Sequence, residues 1–301
     1  MKKDNMSIFM LNNGRYRGAL LDATDMVRSM REKHETGVIE TFALGETYIA
    51  AGLLTSMLKG KDRIGIVFEC GGPLKGISVE VTAGGDVRGY LQNNPIPLEK
   101  IPERLDLSNL FGPGFLSITK YLEDSKQPFT GQVMITYGSI AKDLAYYYTT
   151  SENTPTAFNL SVKFDTEGLL IGAGGMYIQK MPSKEGETQD EGEAEGIQDA
   201  LGGMPSIGIS LAEGKTLQNI LSENFGKFKP NVIGSRFISF NCSCSRELFE
   251  SYLCALNSDG KKDILENGPY PVVTLCHNCN TSYKFSKKEI EELFKKNGTV
   301  D

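Results

Sequence analysis

Apolar residues along this chain recur in two rhythms. Alternation at a period of two, bounded by turn residues, reads as a half-buried strand; recurrence at three and four reads as a helix lying on a core. Residues 16–30 carry helical spacing, and residues 42–58 form a second, very apolar helix with Gly60 as its stop. Residues 63–69 alternate as a strand. Residues 76–82 and 87–91 flank Ala83-Gly-Gly-Asp86, a hairpin signal. Residues 130–137 give another strand, and 139–148 a helix with Ser139 placed as its N-cap. Residues 156–164 and 169–179 form a second hairpin around Asp165-Thr-Glu-Gly168. Strands outnumber helices, and their hairpins imply an antiparallel or mixed sheet.

The rhythm then breaks. Residues 184–196 hold six carboxylates, one lysine and three glycines. Such a stretch cannot bury enough apolar surface to offset its ordering entropy, so mobility and a domain boundary are expected there. Beyond it, Leu217, Ile220, Leu221 and Phe225 follow the spacing of an amphipathic helix, started at Thr216 and stopped by Gly226. Ile197 with Leu201, and Ile207 with Ile209 and Leu211, add apolar material. This segment is too short for a core of its own, so its stripe is expected to lie on the sheet of the first domain. In the tail, Ser245 caps a helix running to 256, and residues 270–275 and 282–285 read as strands. Ser286-Lys-Lys-Glu289 is a capping box with Phe285 and Ile290 as its staple, opening a last helix that ends at Asn297-Gly298. The fold class is α+β: a core domain over 1–181 with a mixed or antiparallel sheet and packed helices, an acidic junction and amphipathic linker over 182–234, and a small C-terminal unit over 235–301.

Composition narrows the function classes. With 32 basic and 38 acidic residues the net charge is −6, which argues against a nucleic-acid protein, since phosphate binding needs a basic face. The first residues are too polar for a signal sequence, and no apolar run reaches the length of a membrane span, so a cytoplasmic protein is expected.

In that setting close cysteine pairs point to metal or redox chemistry rather than a disulfide framework. The pairs are Cys242-Ser-Cys244 and, after 31 residues, Cys276-His-Asn-Cys279. Four thiolates so spaced can converge on one tetrahedral zinc ion in a closed, structural site. The same sulfurs can instead oxidise to disulfides, so the pattern is a staple or a switch. About 65 residues rarely hold a firm core alone, so the metal supplies much of this unit's folding free energy. A Cys-x-Cys bridge is awkward, because an extended chain puts its Cα atoms nearly 7 Å apart. Cys70 and Cys254 read as packing residues, His277 as exposed, and His34 as a surface residue.

Three other patterns carry less. Cys276-x-x-Cys279 lacks the βαβ setting of a thiol oxidoreductase. Gly208 to Gly214-Lys-Thr216 has five residues between its glycines where a phosphate loop has four, so no nucleotide is expected. Gly172-Ala-Gly-Gly175 lies in a strand pattern and marks a bulge or close packing. No nucleophile triad can be built with two histidines, and no enzyme activity is expected.

The chain resembles the 33 kDa chaperonin family, the redox-regulated heat-shock protein 33 group of bacteria. The likeness rests on Phe240-Asn-Cys-Ser-Cys-Ser245 and Cys276-His-Asn-Cys-Asn-Thr-Ser-Tyr-Lys-Phe285, and on the stretches 44–54, 85–90, 114–119 and 174–179. The acidic stretch 184–196 departs from it, being longer and more charged than the family's usual junction. The resemblance implies an ATP-independent holdase, inactive while reduced with one zinc per chain on Cys242, Cys244, Cys276 and Cys279. It implies disulfides Cys242–Cys244 and Cys276–Cys279 on oxidation, with loss of zinc, unfolding of tail and linker, homodimer formation and binding of unfolded clients. The candidate client surface is Ile207, Ile209, Leu211, Leu217, Ile220, Leu221 and Phe225. The competing reading is a constitutive zinc knuckle that docks RNA or the ribosome through the basic run 284–296.

Overall fold

The chain enters as a strand. β1 (Asp4–Leu11) pairs antiparallel with β2 (Tyr16–Asp22), and helices α1 (Thr24–His34) and α2 (Val38–Leu54) follow. β3 (Arg63–Cys70), β4 (Gly76–Thr82) and β5 (Asp86–Leu91) form a meander, with β4 and β5 joined at the expected turn. A short helix, α3 (Ser108–Phe111), leads into the hairpin of β6 (Gly114–Tyr121) and β7 (Phe129–Met134). Helix α4 (Ile140–Thr150) precedes the second expected hairpin, β8 (Thr156–Phe164) with β9 (Leu170–Lys180). Helices α5 (Glu191–Gly203), α6 (Ile207–Ala212) and α7 (Leu217–Phe225) lead to β10 (Asn231–Phe240). The structure is a computed structural model that describes residues 4–98, 105–182 and 191–296.

Ten strands form one sheet in the order β7-β6-β3-β4-β5-β10-β1-β2-β9-β8. Among the described residues, its two halves are joined where β10 runs parallel to β5, at Ser239 opposite Asp86 and Phe240 opposite Val87. Helix α2 packs against strands of both halves: Tyr48 Oη donates to Gly89 O of β5 at 2.9 Å, and Gly52 abuts Leu21 of β2 and Ile238 of β10. The expectation that no apolar run reaches the length of a membrane span needs correcting. The stretch Val38–Met57 is long and apolar enough to cross a membrane, but most of it is core.

Two compact units result, Met1–Asn241 and Cys242–Asp301. The expected domain limit at 234/235 falls inside β10. The second unit holds α8 (Arg246–Cys254), α9 (Ser258–Asn267), the hairpin of β11 (Val272–Leu275) and β12 (Ser282–Phe285), and α10 (Lys287–Lys296). Ser245 Oγ accepts from Leu248 N–H, and Ser286 and Glu289 form the expected capping box, with Phe285 and Ile290 both buried. The end expected for α10 at 297–298 lies outside the described residues, as do 184–190 of the acidic stretch. Residues 191–196 of that stretch are helical, within α5, and Glu193 pairs with Arg15 at 3.1 Å.

Other differences have physical causes. Residues 16–30 are a strand and then a helix. β2 lies between β1 and β9 with Ala19, Leu20 and Leu21 all buried, and a strand covered on both faces loses its alternation. His34 is buried, edge-on to Phe240 with ring centroids 6.2 Å apart, because it closes the inner end of α1. Ser139 occupies the N-cap of α4 without a capping side-chain bond; the buried Asp143 carboxylate accepts the N–H groups of Thr136, Tyr137 and Ser139 instead.

The linker stripe lies where its periodicity requires. Ile207, Leu217, Ile220, Leu221 and Phe225 are buried in one cluster with Phe9, Leu11 and Leu20 of the first hairpin and Met176 and Ile178 of β9. Leu211 packs against the same cluster, whereas Ile209 points outward at 37% exposure. Each fully buried side chain of this kind contributes about 1.5–3 kcal/mol.

Two outcomes are expected. The Arg236 guanidinium donates to Thr55 O, Leu58 O and Ala83 O at 2.6, 2.8 and 3.1 Å, tying β10 to the end of α2 and the β4–β5 turn. Arg236→Ala should lower urea stability of the full chain by about 2 kcal/mol, and Arg236→Lys should recover only part, since an ammonium cannot fork across three carbonyls. Asp4 caps α1 from β1, accepting from Asp25 and Met26 N–H at 3.1 and 2.6 Å, and burial pushes its carboxyl up to about 7. A folded-state value above the unfolded one favours the protonated fold, so this contribution is full below pH 4 and fades as pH rises through about 7. Asp4→Asn should flatten that part of the stability profile, measured by denaturation between pH 5 and 8.

Candidate metal centre

The two halves of the site are built differently. Cys276 and Cys279 sit in the turn between β11 and β12, where Cys276 O accepts from Cys279 N–H at 3.2 Å and Asn280 N–H at 2.7 Å. Cys276 N–H donates across to Thr281 O at 2.9 Å, closing the knuckle. Asn280 takes a left-handed φ of 55°, a conformation that asparagine tolerates better than most side chains. Cys242 and Cys244 lie in the extended segment before the Ser245 cap of α8, directly after Asn241, whose N–H donates to Val87 O at 3.0 Å. A cap fixes where α8 begins, and so fixes the last cysteine before it.

These elements bring the four sulfurs within 4.8 Å of one another. Two of these contacts cross between the two motifs: Cys242 to Cys276 at 3.7 Å and Cys244 to Cys279 at 3.3 Å. Four thiolates at the usual metal–sulfur distance of about 2.3 Å from one ion stand about 3.8 Å apart, so this set fits a tetrahedral metal. The separations are far above the roughly 2.05 Å of a disulfide, and none of the six cysteines is in one. The cluster can therefore hold one metal ion. His277, beside it in sequence, is exposed, as expected.

The surroundings tune the sulfurs unequally. Burial pushes the Cys276 and Cys244 thiols up. Burial also acts on Cys279, but the Thr281 hydroxyl, 3.3 Å from its sulfur, the Thr281 backbone and the neighbouring thiols outweigh it and bring Cys279 down to about 7. These contacts shift Cys279 toward the thiolate, the form that binds metal and attacks oxidants. Tyr283 Oη stands 3.2 Å from Cys244 Sγ. Sequence reading passed over Thr281 and Tyr283, although their spacing of two along the strand leaving the knuckle puts them on one side.

Of the remaining expectations, Cys70 and Cys254 are half-buried and stand outside the cluster. The basic run 284–296 is laced with acids: Glu289 pairs with Arg246 at 2.6 Å and Lys288 with Glu292 at 3.9 Å. The core under the site is small. Leu253, Phe285, Ile290 and Phe294 are its buried apolar side chains, with the Arg246 guanidinium over the Phe285 ring at 4.3 Å.

Comparison with known proteins agrees with this arrangement. The sequence profile described as Hsp33 protein matches residues 4–286. A 33 kDa chaperonin of Ruminiclostridium cellulolyticum is 37% identical over 279 residues, covering 91% of this chain and 92% of the relative. The 33 kDa chaperonin of Bacillus subtilis is 32% identical over 283 residues, covering 93% and 94%. A crystal structure of the 33 kDa chaperonin (heat shock protein 33 homolog) of Thermotoga maritima superposes with a TM-score of 0.84 at 29% identity, covering 97% of this chain and 98% of that one. A match over nearly the whole length, through both the sheet and the four-cysteine unit, places this chain in the Hsp33 protein family.

Proposed function

We propose that the protein is a redox-switched, ATP-independent holdase of the cytoplasm, in which zinc on Cys242, Cys244, Cys276 and Cys279 keeps the client surface covered. The observation that carries this reading is the four-thiol cluster in a unit whose described residues bury a small apolar cluster around Leu253, Phe285, Ile290 and Phe294. Bound zinc would supply the cross-link that so small a core lacks, roughly 10–16 kcal/mol in zinc-finger peptides against the 5–15 kcal/mol of a whole domain. In this reading the sensing unit begins at Cys242, and residues 182–234 act as the linker.

The chain's own residues then perform the switch. Cys279 attacks the O–O bond of a hydroperoxide; its sulfur takes one oxygen and becomes a sulfenic acid, and the other oxygen leaves as water or alcohol. Cys276 displaces the hydroxyl as water and closes the disulfide. Cys242 and Cys244 close theirs in the same way, so each bridge gives up two electrons to one peroxide. Sulfurs held in bridges no longer form a donor set for the ion, and the small unit loses its support. Release of the linker exposes Ile207, Leu211, Leu217, Ile220, Leu221 and Phe225 together with Phe9, Leu20 and Met176, a large apolar surface of the kind unfolded chains bind. Ile209 is already exposed and adds little to the change. Two exposed faces of this kind also suit a homodimer in the oxidised state.

Under reducing conditions cobalt(II), a visible stand-in for zinc, should bind one ion per chain and give tetrahedral thiolate bands, which Cys276→Ser should abolish; no metal uptake would remove the reading. After hydroperoxide and mild heating, mass mapping should show bridges Cys242–Cys244 and Cys276–Cys279, metal should appear in the filtrate, and aggregation of heat-denatured malate dehydrogenase should be suppressed. Equal suppression before and after oxidation would defeat the switch.

A further inference from the structure

We propose that a glycine seam seats helix α6 on the sheet, and that Gly172 and Gly208, with Ser161 and Ser206, are the positioning residues that keep the linker cluster closed. This rests on the switch reading above, whose linker contains α6. The sequence pattern marked Gly172-Ala-Gly-Gly175 for close packing, and the structure shows what packs there. A Cβ on Gly208 would stand 2.9 Å from both Gly172 O and Ser161 Oγ, and one on Gly172 would run into the Gly208 carbonyl oxygen. α6 therefore meets β9 backbone to backbone. Only residues without a Cβ permit that approach.

A polar stitch lies along the same line. Ser206, the N-cap of α6, has its hydroxyl 2.7 Å from Ser161 Oγ on β8, and Gly208 N–H donates to Ser161 Oγ at 3.1 Å. The close approach is what carries Ile207 to full burial beside Met176. The apolar contacts of α7 are of another kind: side chains on a stripe repack around small changes, whereas backbone against backbone has no slack. A six-residue helix also has no stability of its own. Helix α6 is thus either fully seated or released, and its release removes Ile207 and Leu211 from the floor of the cluster.

The test uses the full chain, reduced and zinc-loaded. Gly208→Ala should speed hydrogen exchange at amides 207–212 by about tenfold or more. Thiol count and zinc content should stay at wild-type values, and the variant should suppress aggregation of heat-denatured malate dehydrogenase without oxidant. Gly202→Ala in α5, with nothing within 4 Å of the added Cβ, should change none of these. Ser161→Ala, which removes the stitch without adding volume, should move exchange the same way by less, and it stands in should Gly208→Ala fail to fold. Wild-type exchange rates in both variants would overturn the seam. Fast exchange without client holding, while the oxidised wild type holds, would overturn α6 as the gate. An oxidised wild type that holds nothing would instead sink the switch reading, and the exchange rates would still decide the seam.

Discussion

Four sulfurs gathered within 4.8 Å lie beside a small core in the C-terminal unit. Among the described residues of the unit Cys242–Asp301, Leu253, Phe285, Ile290 and Phe294 form the buried cluster, with partly buried side chains such as Phe249 and Tyr283 packed on it. At about 1.5–3 kcal/mol for each buried side chain, they fall far short of the conformational entropy of ordering that length of chain. The hairpin, the Ser245 cap and the Ser286–Glu289 box shape the pieces locally, but local devices contribute about a kilocalorie each. The cluster of Cys242, Cys244, Cys276 and Cys279 joins residues more than thirty apart in sequence, alongside the Arg246–Glu289 pair and the packing of Leu253 on Phe285. In the proposed switch, the chemistry of those sulfurs decides the state of what is built around them.

The larger unit solves the opposite problem. Its core is ample, with α2 buried between two half-sheets, and it has apolar surface to spare beyond that core. The outer cluster on β1, β2 and β9 needs a cover, and the linker supplies one from helices too short to persist alone. A cover made of separate short helices can be lost without disturbing the sheet, because Phe9, Leu20 and Met176 sit on strands held by their own ladders. The same arrangement in a single long helix fused to the core would not be separable in this way.

Legibility in the sequence followed the range of the interaction. Local chemistry was readable: both hairpin turns, the caps at Thr216, Ser245 and Ser286, the stripe of α7 and the four-cysteine motif all stand where their residues put them. Long-range burial was not. β2 passed for a helix because neighbours on both faces erase its alternation, and His34 passed for a surface residue because Phe240, its ring partner, is two hundred residues away in sequence. β10 was missed for a related reason. Residues Asn231–Ser235 are exposed, so Val232 and Ile233 carry no inward–outward rhythm, and only the last residues of the strand are buried. In the site, the cysteines were legible by spacing, whereas the roles of Thr281 and Tyr283 depend on the path of β12 beside the sulfurs.

Strand β10 also constrains how the two parts of a switch can communicate along the chain. The linker enters it at Asn231 and the first cysteine follows its end, so fraying from Cys242 must travel through ten strand residues to reach α7. The last of these make the join to β5, and Arg236 then bolts the strand to three carbonyls. Beyond Arg236 the strand loosens: the register with β1 slips between Ile8 and Phe9, and Val232 and Ile233 are half-exposed or more. The firm part of β10 therefore faces the cysteines and the loose part faces the linker. In the proposed switch, unfolding that starts at the sulfurs has to pass the Arg236 contacts before it reaches the linker. How readily the apolar cluster opens then depends both on those contacts and on the linker's own docking on the sheet.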